Sequence, residues 1–162
     1  ATTMPGSPCF WSWYLEQARE AGGQQAPALR LPIDLEPECK VPLEERAVIG
    51  EAASNTTIAV VATNLGLDKA EATRVAIMAQ DGFARAIRPV HTPFDGDTVF
   101  CLSTGRRALA GPAELLRVGA LAADCLARAI MRGVYEADSL GAMPGYRSVH
   151  GHPWTAREGE RR

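Results

Sequence analysis

The sequence lacks an excess of either charge: 17 Lys and Arg stand against 19 Asp and Glu, a net −2 over 162 residues. A chain this close to neutral has no basic field for non-specific nucleic-acid or anionic-membrane binding, so neither partner is expected. No apolar run approaches the ~20 residues that cross a bilayer. No C-x-x-C pair occurs: Cys9, Cys39, Cys101 and Cys125 are scattered, which excludes a zinc ribbon and a dithiol redox motif. Four cysteines in a chain of this length are no disulfide scaffold either, and reduced thiols in a cytoplasmic protein are the expectation. No basic stretch followed by an apolar one opens the chain as a secretory signal would, and no internal repeat is visible. What remains is an ordinary 46% apolar composition, enough for one globular domain.

The first 50 residues promise little regular structure. Pro5, Pro8, Pro27, Pro32, Pro37 and Pro42 recur too often for a long helix or a central strand. The cluster Phe10-Trp11-Ser12-Trp13-Tyr14-Leu15 needs cover all the same. That cover is either this domain itself or another part of the protein or another chain.

The second half is patterned. Ile58 to Thr63 is a short β-branched run, as expected of a strand buried on both faces, with a turn over Asn64 to Leu67. Asp68 and Glu71 have capping-box spacing, and one helix is predicted from Lys69 to Ile87, where Arg88-Pro89 ends it. A loop over Val90 to Asp97 feeds a second strand, Thr98 to Leu102, followed by a connection from Gly105 to Gly111. Pro112 suits the first turn of a helix running from Ala113 to about Ala137, with Leu116, Ala120, Ala123, Ala127, Ile130 and Val134 on its apolar stripe. Gly141 to Arg162 is Gly-, Pro-, His- and Arg-rich and is expected to be a loosely held tail, above all beyond Gly151. Strand, helix, strand, helix predicts an α/β layered domain with at least one sheet partner still to be supplied.

Two polar segments precede the two strands. Ser54-Asn55-Thr56-Thr57 is either a turn using its own side-chain hydrogen bonds or the seat of a nucleophile, Thr56. A hydroxyl is a poor nucleophile without a base, and breakage of the Asn55–Thr56 bond would give Thr56 an α-amine to serve as one. Asp95-Gly96-Asp97 is either a turn or a carboxylate pair. If the strands are parallel neighbours, their leading ends share one sheet edge and Thr56 can meet Asp95 and Asp97. A metal site of His91, Asp95 and Asp97 is poorly supported, since a hard metal wants more carboxylates and zinc another His or Cys; no metal or cofactor is expected. His150 and His152 read as a solvated end.

The stretch Ser54-Asn55-Thr56-Thr57-Ile58-Ala59-Val60-Val61-Ala62-Thr63-Asn64 resembles the cleavage-site strand of the L-aminopeptidase/D-esterase family, also called the P1 peptidases, which includes β-peptidyl aminopeptidases and nylon-oligomer hydrolases. The resemblance continues through Asp81-Gly82-Phe83-Ala84-Arg85-Ala86-Ile87-Arg88-Pro89-Val90-His91-Thr92-Pro93-Phe94-Asp95-Gly96-Asp97-Thr98-Val99-Phe100 and through Ala123 to Ile130, so that it covers roughly residues 50–148. It implies a DmpA-like α-β-β-α sandwich, self-cleavage between Asn55 and Thr56 into subunits that stay associated, and hydrolysis of amide or ester bonds of small aminoacyl substrates. It also implies catalytic roles for Thr56 as nucleophile and for Asp95 and Asp97, whose Asp-Gly-Asp pattern matches the nylon-hydrolase branch.

On this resemblance residues 1–55 are the loop-rich end of a first subunit, 56–150 a second subunit and 151–162 a flexible tail. Family members are longer, and their N-terminal portion supplies sheet strands, oxyanion-stabilising groups and part of the pocket. The chain is therefore expected to be the C-terminal portion of the fold, completed by that missing portion or by another chain. Loss of the oxyanion donors alone costs ~10²–10³ in turnover. A homo-oligomer acting on a small peptide, aminoacyl amide or ester is the leading expectation. A non-catalytic structural or interaction fragment, or an acyltransferase on the same scaffold, is the alternative.

Overall fold

A computed structural model describes residues 2–4, 6–24, 56–93 and 95–151. Asn55, Cys39, His152, the prolines from Pro27 to Pro42 and the 152–162 tail lie outside the described residues.

Two strands, β1 (Ile58–Gly66) and β2 (Thr98–Ala108), form a parallel sheet with Ile58 opposite Thr98. The crossover between them contains α1 (Lys69–Ala79) and α2 (Asp81–Ala86); α3 (Pro112–Glu136) and α4 (Tyr146–His150) follow β2. The order is that of an α/β protein. Both strands outrun their predicted ends, because the parallel ladder continues past a register shift between Thr63 and Leu65 to Gly66 opposite Ala108.

Burial of β1 on both faces is corrected by the structure. Its residues alternate, with Ala59, Val61 and Leu65 turned to the helices and Ile58, Val60 and Ala62 exposed. On β2, Phe100 and Leu102 share the exposed face. Burial on both faces needs cover on two sides, and among the described residues the helices lie on one side only.

The predicted helix over 69–87 is two helices. Asp68 accepts from the Glu71 amide and Glu71 from the Asp68 amide, a complete capping box. At Gln80 the amide is shared between the Ala76 and Ile77 carbonyls, both at 3.3 Å, and α2 starts afresh. The break sets Gly82 directly on α3, where a β-carbon would stand 2.5 Å from the Ala123 carbonyl oxygen. It also carries Phe83 into a core with Ala79 and Leu126, lined by Ala59, Val61, Val99 and Ile130. Pro112 begins α3 as predicted. Its buried positions are Gly119, Ala123, Leu126, Ala127, Met131 and Tyr135, so the predicted stripe is rotated, and Leu116 and Ala120 face outward. The rotation follows from α3 meeting α1 and α2 along its first half and the N-terminal arm along its second.

That arm, residues 6–24, supplies the answer for the aromatic cluster. Phe10 is buried against Ala21, Met131, Tyr135 and Tyr146 of the same chain and stacks on the Tyr146 ring at 4.7 Å. Ser12 Oγ donates to the Ala127 carbonyl, and Arg128 makes a two-bond pair with Glu20 at 2.6 and 2.9 Å. Glu16 accepts the Ala21 and Gly23 amides, at 2.8 and 2.9 Å, and also that of Gln24, which closes the arm's own turn. Burial, with the Glu16 charge nearby, pushes the Cys9 thiol up to about 11. The expectation of a loose tail fails for residues 141–151: Tyr146 on α4 is core, and a hydrogen-bonded turn joins Leu140 and Met143. Its partner Phe10 is too distant in sequence for a local pattern to show the pairing.

Candidate active site

Parallel pairing brings the leading ends of β1 and β2 to one edge of the sheet. The Thr98 amide donates to the Thr57 carbonyl at 3.0 Å, and the Thr57 amide donates to Asp97 Oδ1 at 3.0 Å. Both backbone groups of Thr57 are thus held by the segment entering β2, and Thr56 is carried to the exposed edge beside it. Next to Thr56 stands Gly96, where a β-carbon would lie 2.8 Å from Thr56 Oγ1. The glycine between the two aspartates is what leaves room for the hydroxyl.

The carboxylates have different tasks. Asp97 is enclosed, with its side chain 6% exposed. Its Oδ1 accepts from Thr57 and its Oδ2 faces His91 Nδ1 at 3.2 Å. Asp95 closes a local turn: its Oδ2 accepts the Thr92 amide at 2.7 Å while its own amide donates to the Thr92 carbonyl at 3.0 Å. Thr98 Oγ1 bonds the Gly96 carbonyl at 3.1 Å, which ties the glycine to the strand. A hydroxyl, an enclosed carboxylate and a second carboxylate two residues away therefore share one sheet edge, as the Asp-Gly-Asp spacing led one to expect if the strands were parallel.

The structure keeps other candidates apart. His150 is on α4, its ring 4.8 Å from that of Tyr146. No group of three or more His, Cys, Asp and Glu side chains among the described residues is arranged to hold a metal ion. An apolar cavity of about 370 Å³ lies elsewhere, between the middle of the strands and α3, lined by Val61, Val75, Cys101, Cys125 and Leu126 among others. Among the described residues no helix is long and apolar enough to cross a membrane. Sequence reasoning missed the part played by Gly96 and saw His91 only as a metal ligand. The signal for Gly96 was its place between the two aspartates at the entry to β2.

The profile of peptidase family S58 matches residues 10–148. The chain is 44% identical over 154 residues to an uncharacterized aminopeptidase of Mycobacterium tuberculosis (strain ATCC 25618 / H37Rv), a match covering 80% of this chain and 45% of that protein. It is 47% identical over 106 residues to an uncharacterized aminopeptidase of Mycobacterium leprae (strain TN), covering 59% and 29%. It is 38% identical over 52 residues to the 6-aminohexanoate-oligomer endohydrolase of Paenarthrobacter ureafaciens, covering 32% and 15%. The chain thus spans less than half the length of these curated relatives. With the family profile covering residues 10–148 of its 162, the chain belongs to peptidase family S58.

Proposed function

We propose that this chain is the C-terminal portion of a self-processing N-terminal-nucleophile hydrolase acting on amide or ester bonds of small aminoacyl substrates. The observation that carries it is the capture of the Thr57 amide by Asp97 at 3.0 Å, with Gly96 yielding space to Thr56 Oγ1. In maturation Thr56 Oγ attacks the Asn55 carbonyl, the acyl group shifts from nitrogen to oxygen, and water hydrolyses the ester. Asp95 or Asp97 accepts the hydroxyl proton in this step, since the α-amine does not yet exist. In turnover Thr56 Oγ attacks the substrate's acyl carbon and its new α-amine takes the proton and passes it to the leaving group. Water then releases the acyl-enzyme, and Asp95 and Asp97 orient the amine and balance its charge. No cofactor is needed for these steps. The relatives' names, aminopeptidase and oligomer endohydrolase, support amide hydrolysis.

In this reading residues 1–55 end the first subunit, 56–150 form the second, and the rest of an α-β-β-α sandwich, from the same protein or another chain, completes the sheet of a cytoplasmic homo-oligomer. The test is N-terminal sequencing and turnover of the full-length protein. Wild type yields a new N-terminus at Thr56 and releases amine from aminoacyl p-nitroanilides; Thr56→Ala stays uncut and loses turnover while keeping its fold. Undiminished turnover in Thr56→Ala would overturn the assignment. A second reading, a non-catalytic structural or interaction fragment, is favoured by the exposed apolar face of Ile58, Val60, Phe100 and Leu102. Turnover by the 162-residue chain alone excludes it. An acyltransferase on this scaffold would instead form product only with an added amine acceptor.

A further inference from the structure

Thr98, the first residue of β2, makes two hydrogen bonds at the candidate site, one from each of its donors. Its amide donates to the Thr57 carbonyl at 3.0 Å, and its hydroxyl donates to the Gly96 carbonyl at 3.1 Å. The first bond holds the residue after Thr56. The second holds the residue whose missing β-carbon leaves room for Thr56 Oγ1. Between these two anchors stands Asp97, whose Oδ1 accepts the Thr57 amide at 3.0 Å. The bonds close a circuit: from Thr98 to Gly96, through the Gly96–Asp97 peptide to the Asp97 carboxylate, across to Thr57, and back to Thr98. The Thr98 hydroxyl is the link that restrains the Gly96–Asp97 peptide plane, and a glycine leaves such a plane free to turn. Thr98 and Gly96 are both exposed, so loss of the hydroxyl would leave the Gly96 carbonyl to water rather than buried and unpaired. The bond therefore matters for position more than for stability.

We infer that Thr98 is a positioning residue of this site: its hydroxyl holds the Gly96–Asp97 peptide in the orientation that sets Gly96 beside Thr56 Oγ1 and Asp97 on the Thr57 amide. The clamp itself is a matter of hydrogen bonds; its effect on turnover rests on the proposed role of Thr56. With the hydroxyl gone, the peptide turns, and Gly96 and the Asp97 carboxylate shift relative to Thr56. A reacting hydroxyl misplaced in this way slows the chemical step and leaves substrate binding to other groups.

The test uses the full-length protein, with two variants and one measurement that needs no variant. Valine keeps the branched shape of threonine and loses the donor, whereas serine keeps the donor and loses the branch. Branched side chains favour a strand, so strand preference ranks the two variants one way and the clamp ranks them the other. Thr98→Val is expected to keep the wild-type urea midpoint and to speed hydrogen exchange at the Thr57 amide. It should lower kcat, counted per mole of free Thr56 N-terminus, by about 3- to 10-fold with KM little changed. Thr98→Ser is expected to restore both the exchange rate and kcat, at a urea midpoint no higher than that of Thr98→Val. In the wild type, three-bond couplings about the Thr98 Cα–Cβ bond should report a single rotamer. Averaged couplings, Thr57 protection unchanged in Thr98→Val, or equal losses of kcat in both variants overturn the inference. Full turnover in Thr98→Val overturns it as well, and Thr56→Ala then shows how far the failure reaches. Lost turnover in Thr56→Ala confines the failure to Thr98, whereas retained turnover sinks the nucleophile too. Because the rotamer is read in the wild type, a Thr98→Val protein that does not fold still leaves the inference open to refutation.

Discussion

Two glycines show how the same substitution reads out differently according to what faces it. At Gly82 an added β-carbon meets backbone, the Ala123 carbonyl oxygen at 2.5 Å, in a buried contact between α2 and α3. Alanine gains up to ~1 kcal/mol of helix propensity there, but overpacking against an atom that cannot move costs typically ~1–3 kcal/mol. Gly82→Ala is therefore expected to lower stability by about 1–2 kcal/mol in urea unfolding. At Gly96 the obstacle is Thr56 Oγ1 at 2.8 Å, the end of an exposed side chain that rotates away. Gly96→Ala should leave the urea midpoint nearly unchanged while cutting Thr56-dependent turnover by about tenfold or more, the cost of a misplaced reacting atom. A Gly96→Ala protein with full turnover would remove the steric role assigned to the glycine.

At the level of elements, the N-terminal arm is tied to distant sequence by several polar bonds. Its Glu20–Arg128 pair joins it to α3 with two hydrogen bonds and little exposure of either side chain. The Arg128 hydrogen bond, with lesser help from the Gln17 backbone and the charges of Arg128 and Arg132, holds the Glu20 carboxyl below its usual 4.5. A carboxyl with a lowered folded value binds more protons in the unfolded chain, so its contribution is complete above pH 4.5 and is lost as pH falls through the folded value. Glu20→Gln is expected to cost about 1–2 kcal/mol near neutrality, between an exposed pair and a fully buried one. The gap between wild type and variant should close progressively below pH 4.5, and urea titrations across pH 3–7 measure it. A gap that stays constant through acid would show that the pair is not what the arm depends on.

For the whole molecule the open question is the outer face of the sheet. Ile58, Val60, Phe100 and Leu102 are each more than half exposed, at 68, 63, 57 and 55%, and the register sets Val60 directly opposite Phe100. A contiguous apolar face on a two-stranded sheet is a cost that burial relieves. The 162-residue chain on its own is expected to sediment above monomer mass, in keeping with the proposed oligomer, and Phe100→Lys to shift it toward monomer. A wild-type chain that remains monomeric at high concentration would refute this.

Local chemistry was enough for several features. The Asp68–Glu71 capping box, the start of α3 at Pro112 and the strands opening at Ile58 and Thr98 each depend on neighbours a few residues away, and the sequence carried them intact. The same holds for the family, whose motifs are contiguous stretches. Contacts between distant segments decided the rest. The split at Gln80 comes with Gly82 seated on α3, the rotated stripe of α3 with the arm that covers it, and the place of Tyr146 with Phe10. The candidate site stands on the boundary between the two. Thr56, Asp95 and Asp97 could be picked out from their residue types, but their meeting required a parallel register. Which aspartate faces Thr57 was set by side-chain geometry that no spacing along the chain encodes.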